Sequence, residues 1–196
     1  MCLIITGIKS KISSLNLKAI WDANPHGAGI AIPKRGGAII SKGLMTLDEF
    51  KESLNDIPAT KEIAVHFRLA THGAINAKNT HPHNMGRGEY LMHNGILSEF
   101  GRGGTDARSL SDSADLASTL ENVSRAGRRK ILASLHGKFL TIGSTIEIIN
   151  PENWRYIDGI YYSNLNHLAR ESVGRDNLIM PRAWERDHVW GWNDDR

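Results

Sequence analysis

The sequence predicts an α+β fold with largely antiparallel sheets, and three observations carry that expectation. Short apolar runs come in pairs around turn residues, which is the pattern of hairpins. Helical stretches fall between those pairs instead of alternating with single strands, which disfavours a doubly wound parallel sheet. The chain has 196 residues, 40% of them hydrophobic, and a chain of that size buries roughly 70% of its unfolded surface without any disulfide or metal staple.

The elements follow in order. Residues 3–8, Leu-Ile-Ile-Thr-Gly-Ile, read as a buried strand, and Ile12, Leu15, Ile20 and Trp21 are spaced as on helix. Residues 29–32 and 38–40 flank the turn Pro33-Lys34-Arg35-Gly36-Gly37. Thr46-Leu47-Asp48-Glu49 has the spacing of a capping box and opens a helix that carries Phe50 and Leu54 on one side. Residues 62–67 read as a strand that delivers Arg68 at its end, and a polar segment from Thr71 to Arg87 follows. Residues 90–92 are a strand running into His93-Asn94-Gly95. Residues 113–123 and 125–135 are helical; 138–142, 145–149 and 159–162 are strands. The chain is expected to be a single domain over 1–196, with 150–196 a divergent C-terminal extension holding Trp184, Trp190 and Trp192.

Composition narrows the function classes. No run of about 18 apolar residues exists, which argues against a membrane span, and the N-terminus lacks the basic leader of a signal peptide. One cysteine makes no internal disulfide and fits a reducing cytoplasm. The net charge is +3, and the basic groups interleave with acids, so nucleic-acid binding is disfavoured. Arg125 and Arg128-Arg129-Lys130 read as a solvated helix face.

Five short segments carry chemistry. Cys2 directly follows Met1. Removal of Met1 leaves a residue with both a strong thiol nucleophile and an α-amine, a base at neutral pH; otherwise Cys2 is a small apolar residue opening a strand. Arg68, in Arg68-Leu69-Ala70-Thr71-His72-Gly73, suits two-pronged capture of a carboxylate or an ordinary ion pair. Asn79-Thr80-His81-Pro82-His83 has neither the helical His spacing nor the Cys partners of a zinc site, so no metal is expected. In His93-Asn94-Gly95 the Asn amide and the Gly N–H can aim two donors at one oxyanion, although Asn-Gly is also a hairpin turn. Ser111-Asp112-Ser113 precedes a helix and reads equally as its N-cap.

In this order and spacing the segments resemble class II glutamine amidotransferase domains, which are N-terminal-nucleophile hydrolases, and are most similar to the glutaminase half of glucosamine-6-phosphate synthase. Asn24-Pro25-His26-Gly27-Ala28-Gly29-Ile30-Ala31 resembles the family's early Gly-rich segment. The likeness spans about residues 2–150. It implies a four-layer αββα sandwich of two mainly antiparallel sheets and hydrolysis of L-glutamine through a thioester on Cys2, with no cofactor. By motif, Cys2 is the nucleophile and Asn94 and Gly95 form the oxyanion hole. Arg68 binds the α-carboxylate of glutamine and Asp112 its α-ammonium. Thr71, His72 and His81 lie on the substrate side, and residues 69–77 form a lid.

Two positions depart from the family pattern. Leu3 follows the cysteine where Gly is usual, and Leu69 stands where the synthase has Trp. About 46 residues follow position 150, too few for an acceptor domain, so a separate synthetase or acceptor protein is expected to take the ammonia. The competing expectations are a catalytically silent protein of the same fold used for binding, and an amidohydrolase for another γ-glutamyl amide.

Overall fold

A computed structural model describes residues 1–71, 73–100 and 110–168. His72 and the tail with Trp184, Trp190 and Trp192 lie outside the described residues. The first sheet has six strands: β1 (Leu3–Ile8), β2 (Ala28–Lys34), β3 (Gly37–Leu44), β4 (Glu62–Phe67), β9 (Arg155–Ile157) and β10 (Ile160–Tyr162). The second has four: β5 (His83–Asn84), β6 (Tyr90–Asn94), β7 (Lys138–Ile142) and β8 (Ile146–Ile149). Their orders are β3-β2-β4-β1-β10-β9 and β5-β6-β7-β8, and every pairing is antiparallel. Helices α1 (Lys9–Ser13), α2 (Leu17–Ala23) and α3 (Leu47–Asn55) serve the first sheet; α4 (Asp112–Thr119) and α5 (Arg125–Ser134) serve the second.

The two-residue period of the strands sorts side chains into three cores. Leu3 and Ile5 of β1, Ile63, Val65 and Phe67 of β4, and Ile30 of β2 face the helices, where Ile20, Trp21, Phe50 and Leu54 meet them. Ile4, Ala31 and Ala64 face the other way and meet Met92, Leu140 and Ile142 of the second sheet. Leu91 and Phe139 on that sheet's outer face pack on Leu116, Leu120 and Leu132 of α4 and α5. The result is helix, sheet, sheet, helix: the four-layer αββα sandwich. Each fully buried Ile or Leu contributes about 1.5–3 kcal/mol.

Local signals were read well where they are local. Thr46 caps α3 by accepting from the Glu49 N–H at 3.2 Å, and the Glu49 carboxylate accepts from the Thr46 N–H at 2.9 Å, which completes the capping box. Two strands escaped the sequence: the two-residue β5 and the three-residue β9, whose residues are all exposed and carry no alternation. The single helical stretch expected over 12–23 is broken into α1 and α2, with Asn16 capping the second through the Ala19 N–H. No helix among the described residues is long and apolar enough to cross a membrane.

The reading of a solvated basic face fails at one residue. Arg128 is 2% exposed, whereas Arg125 and Arg129 are open to solvent and pair with Glu89 and Glu147. Arg128 reaches back to Glu89 Oε2 at 2.7 Å and donates to the carbonyls of Leu120 at 3.0 Å and Glu121 at 2.8 Å. It caps the end of α4 and ties it to the loop before β6, satisfying carbonyls the helix leaves open. Arg128→Ala leaves these acceptors buried and unpaired, so unfolding free energy is expected to fall by about 3 kcal/mol, read by urea denaturation. A loss under about 1 kcal/mol would show that the contacts are not structural.

Candidate active site

Cys2 continues the inward parity of Ile4, and the register Leu3↔Phe67 sets it beside Arg68 at the end of β4. The Leu69 N–H donates to Cys2 Sγ at 3.4 Å, and the thiol donates to the Leu69 carbonyl at 3.5 Å. Asn164 Nδ2 donates to the Cys2 carbonyl at 2.6 Å. Burial pushes the thiol pKa up; the Leu69 N–H and the Arg68 guanidinium oppose this without cancelling it. Cys2 is therefore a protonated thiol at neutral pH, and its use as a nucleophile needs a base.

Arg68 is a cation held almost out of water, 2% exposed. Its Nη1 donates to the Ala74 carbonyl at 2.8 Å and its Nη2 to the Gly73 carbonyl at 3.3 Å. Burial pulls its pKa down, while Cys2 and Asp112 act the other way. The segment after Arg68 thus folds back onto the guanidinium it follows. Asn79 holds it from outside, donating to the Ala74 carbonyl at 3.0 Å while accepting from the Ser111 N–H at 3.1 Å. Gly73 sits at φ 72, and a Cβ there would lie 2.9 Å from the Ser111 nitrogen, so glycine is required on both counts. His26 holds the other side: its Nδ1 accepts from the Ala70 N–H at 2.9 Å. Burial and then the Arg68 guanidinium lower the His26 pKa, keeping that nitrogen free to accept. Thr71 is exposed on this segment.

Asp112 is the first residue of α4, which Ser111 caps through the Ala114 N–H at 3.3 Å. The Asp112 carboxylate accepts from Leu97 N–H at 3.0 Å, Ser113 N–H at 2.7 Å and the Ser113 hydroxyl at 3.2 Å. The cap and the acidic site residue are therefore successive positions of one segment. The carboxylate also acts electrostatically on both Arg68 and Cys2.

Asn94 ends β6 on the inward face. Its Nδ2 donates to Ser163 Oγ at 2.8 Å, and its Oδ1 is buried without a hydrogen-bond partner among the described residues. Gly95 is forced by its neighbour: a Cβ there would sit 2.6 Å from His93 Nε2. His93 stacks on Phe139 at 4.7 Å and shares a hydrogen bond between Nδ1 and Ser113 Oγ at 2.9 Å. His81 lies 3% exposed, stacked on His66 at 3.8 Å and edge-on to His83 at 4.4 Å. Stacked on His66, it sits against the inner face of β4. Gly29 makes room for it, since a Cβ there would lie 1.9 Å from the His81 carbonyl oxygen. Among the described residues no group of three or more His, Cys, Asp or Glu is arranged to hold a metal ion.

Of the expected residues, Cys2, Arg68, Asn94, Gly95 and Asp112 come together at one end of the sandwich, where β1 begins and β4 and β6 finish. Ser163 and Asn164, which touch Asn94 and Cys2, carried no local signal and were missed.

No family model matches the chain. In sequence it is 40% identical over 75 residues to a glutamine–fructose-6-phosphate aminotransferase (isomerizing) of Pyrococcus horikoshii, covering 37% of this chain and 12% of that protein. It is 30% identical over 118 residues to the protein of the same name from Rhizobium meliloti, covering 55% of this chain and 19% of that protein. In structure it is similar to glutamine phosphoribosylpyrophosphate amidotransferase from B. subtilis, with a TM-score of 0.53 at 19% identity, over 83% of this chain and 41% of that one. The chain thus spans less than half the length of each. The fold is thus a four-layer αββα sandwich shared with that amidotransferase. In sequence the similarity is to glutamine–fructose-6-phosphate aminotransferases, as the resemblance implied.

The buried imidazoles set a pH dependence. Burial lowers the pKa of His66 to about 3 and of His93 to about 4, from an ordinary 6.5. The unfolded chain takes up these protons first as the pH falls. The stability from neutral burial is therefore fully present above about 6.5 and is lost as the pH drops toward the folded values. Thermal melts are expected to be flat above about pH 7 and to fall steadily from about pH 6 to 4. A midpoint unchanged down to pH 4.5 would show that these rings are not held neutral.

Proposed function

We propose that this chain is a class II glutamine amidotransferase domain that hydrolyses L-glutamine through a thioester on Cys2 and releases ammonia to a separate acceptor protein. The observation that carries the reading is one juxtaposition. A partly buried thiol, a buried guanidinium, a carboxylate and an Asn-Gly pair, spread over 110 positions of sequence, meet where β1 begins and β4 and β6 end.

The chemistry follows from the substrate. Glutamine carries a zwitterion at one end and an amide at the other. Arg68 offers a guanidinium fork to the α-carboxylate, and the Asp112 carboxylate pairs with the α-ammonium. That leaves the side-chain amide directed at Cys2. Once Met1 is removed, the Cys2 α-amine takes the thiol proton, and the thiolate attacks the amide carbon. The Asn94 amide and the Gly95 N–H stabilise the oxyanion. The ammonium group returns its proton to the departing nitrogen, ammonia leaves and the thioester remains. Water then adds to the thioester, with the amine again the base, and glutamate and the free thiol are regenerated. Thr71, His72 and His81 complete the substrate side in this reading. The thiol stays reduced in a cytoplasmic setting, and residues 150–196 extend a single domain.

Incubation of Met1-processed protein with glutamine is expected to yield glutamate and ammonia in equal amounts, and Cys2→Ala to abolish both. Arg68→Lys keeps the charge and loses the fork, so KM for glutamine is expected to rise about 10- to 100-fold, with a smaller change in kcat. Wild-type protein lacking turnover, or an active Cys2→Ala variant, would overturn the proposal. Cleavage of γ-glutamyl amides without a free α-amine as fast as glutamine would replace L-glutamine as the substrate.

A further inference from the structure

Two residues beyond β10 grip the site from a distance. Ser163 is wholly buried, and its Oγ accepts from the Ile4 N–H at 2.8 Å and from Asn94 Nδ2 at 2.8 Å. Its own N–H donates to the Ile4 carbonyl at 2.9 Å, and its carbonyl accepts from the Lys138 ammonium on β7. Asn164, next in sequence, holds the Cys2 carbonyl. Ser163 therefore bonds to β1, the strand that carries the nucleophile, and to β6 and β7 of the facing sheet.

We propose that Ser163 is a positioning residue for acyl transfer: it fixes the plane of the Asn94 amide so that the second N–H of Nδ2 meets the oxyanion formed at Cys2. The inference rests on the glutaminase reading and adds a residue to it. A primary amide nitrogen has two hydrogens set at about 120° in one plane. When one is bound to Ser163 Oγ, the direction of the other is determined. Nothing else does this, because Asn94 Oδ1 has no partner among the described residues. Ser163 Oγ has two lone pairs, and the second is taken by Ile4 N–H, two residues from Cys2. The amide is thus referenced to the nucleophile's own strand. Donors held in place before charge develops cost no reorganisation during the reaction, which is how such groups accelerate it. Asn164 adds to the register by fixing the peptide that follows the Cys2 side chain.

A double-mutant cycle tests this with glutamate release as readout. Asn94→Ala is expected to lower kcat by about 10²- to 10³-fold, the usual effect of deleting one oxyanion donor. Ser163→Ala is expected to lower kcat about tenfold or more with KM for glutamine within about twofold, since Ser163 does not touch the zwitterion. The double variant is expected to be no slower than Asn94→Ala alone, because Ser163 acts through Asn94. Alkylation of Cys2 by iodoacetamide, which needs no oxyanion donor, is expected to proceed at the wild-type rate in Ser163→Ala. If Ser163→Ala does not fold, Ser163→Cys supplies a weaker acceptor of similar size and is expected to show the same deficit confined to kcat. Multiplying losses in the double variant, a KM increase matching the fall in kcat, or wild-type kcat in Ser163→Cys would each overturn the inference while the glutaminase reading stands. Wild-type protein without turnover removes that reading, and this inference with it.

Discussion

Strand β1 lies between β4 and β10, hydrogen-bonded on both sides along its length. Every feature of the site is referred to that placement. The pairing with β4 sets Cys2 next to Arg68. The pairing with β10 brings Ser163 and Asn164 to Ile4 and Cys2. The two-residue period then directs Ile4, and Cys2 with it, into the space between the sheets, where Asn94 arrives from β6. A slip of one residue in either register would turn Cys2 toward the helices and dissolve the arrangement. The apolar load on β1, with Leu3, Ile4 and Ile5 all fully buried, makes such a slip expensive on both faces. Core packing on one strand is thus what gives the chemistry at its end its geometry.

The four layers also explain the pattern of buried polar groups. The inner faces of the sheets are apolar toward the middle, at Ile4, Ala31, Ala64, Met92 and Leu140. Toward the end with Cys2 they turn polar, at His66, Arg68 and Asn94. Charge and hydrogen-bonding capacity are therefore confined to one end of a low-dielectric slab, where each interaction is stronger than it would be in water. His66 on the inner face and His81 stacked against it respond by staying neutral, burial lowering both pKa values.

Much of this was legible in the sequence. Alternation and turn residues located eight of the ten strands, because those signals are local and strong. The segments that meet at this end could be picked out by residue type: a cysteine at position 2, an arginine at a strand end, an Asn-Gly pair after an apolar run. The strands β5 and β9 were not legible, being too short to show a period. Arg128 looked like its neighbours Arg125 and Arg129, and only the end of α4 packing against it in space distinguishes it. Ser163 was the least legible. A serine after two tyrosines has no local signature, and its partners at Ile4 and Asn94 are 159 and 69 residues away. Its importance exists only once β10 has been laid against β1.

The carbonyls of Gly73 and Ala74 on the Arg68 guanidinium have a consequence for selectivity. A buried cation left without partners would be intolerable; beside the electrostatic pull of the Asp112 carboxylate, these two dipoles satisfy it in part. They do so as neutral groups. A neutral newcomer would exchange one dipole for another and gain nothing, while disturbing a segment that Asn79 and His26 hold in place. Only a full negative charge makes a charge-assisted bond stronger than the one it displaces. In the proposed reaction, the two carbonyls therefore yield the guanidinium to a carboxylate more readily than to a neutral group.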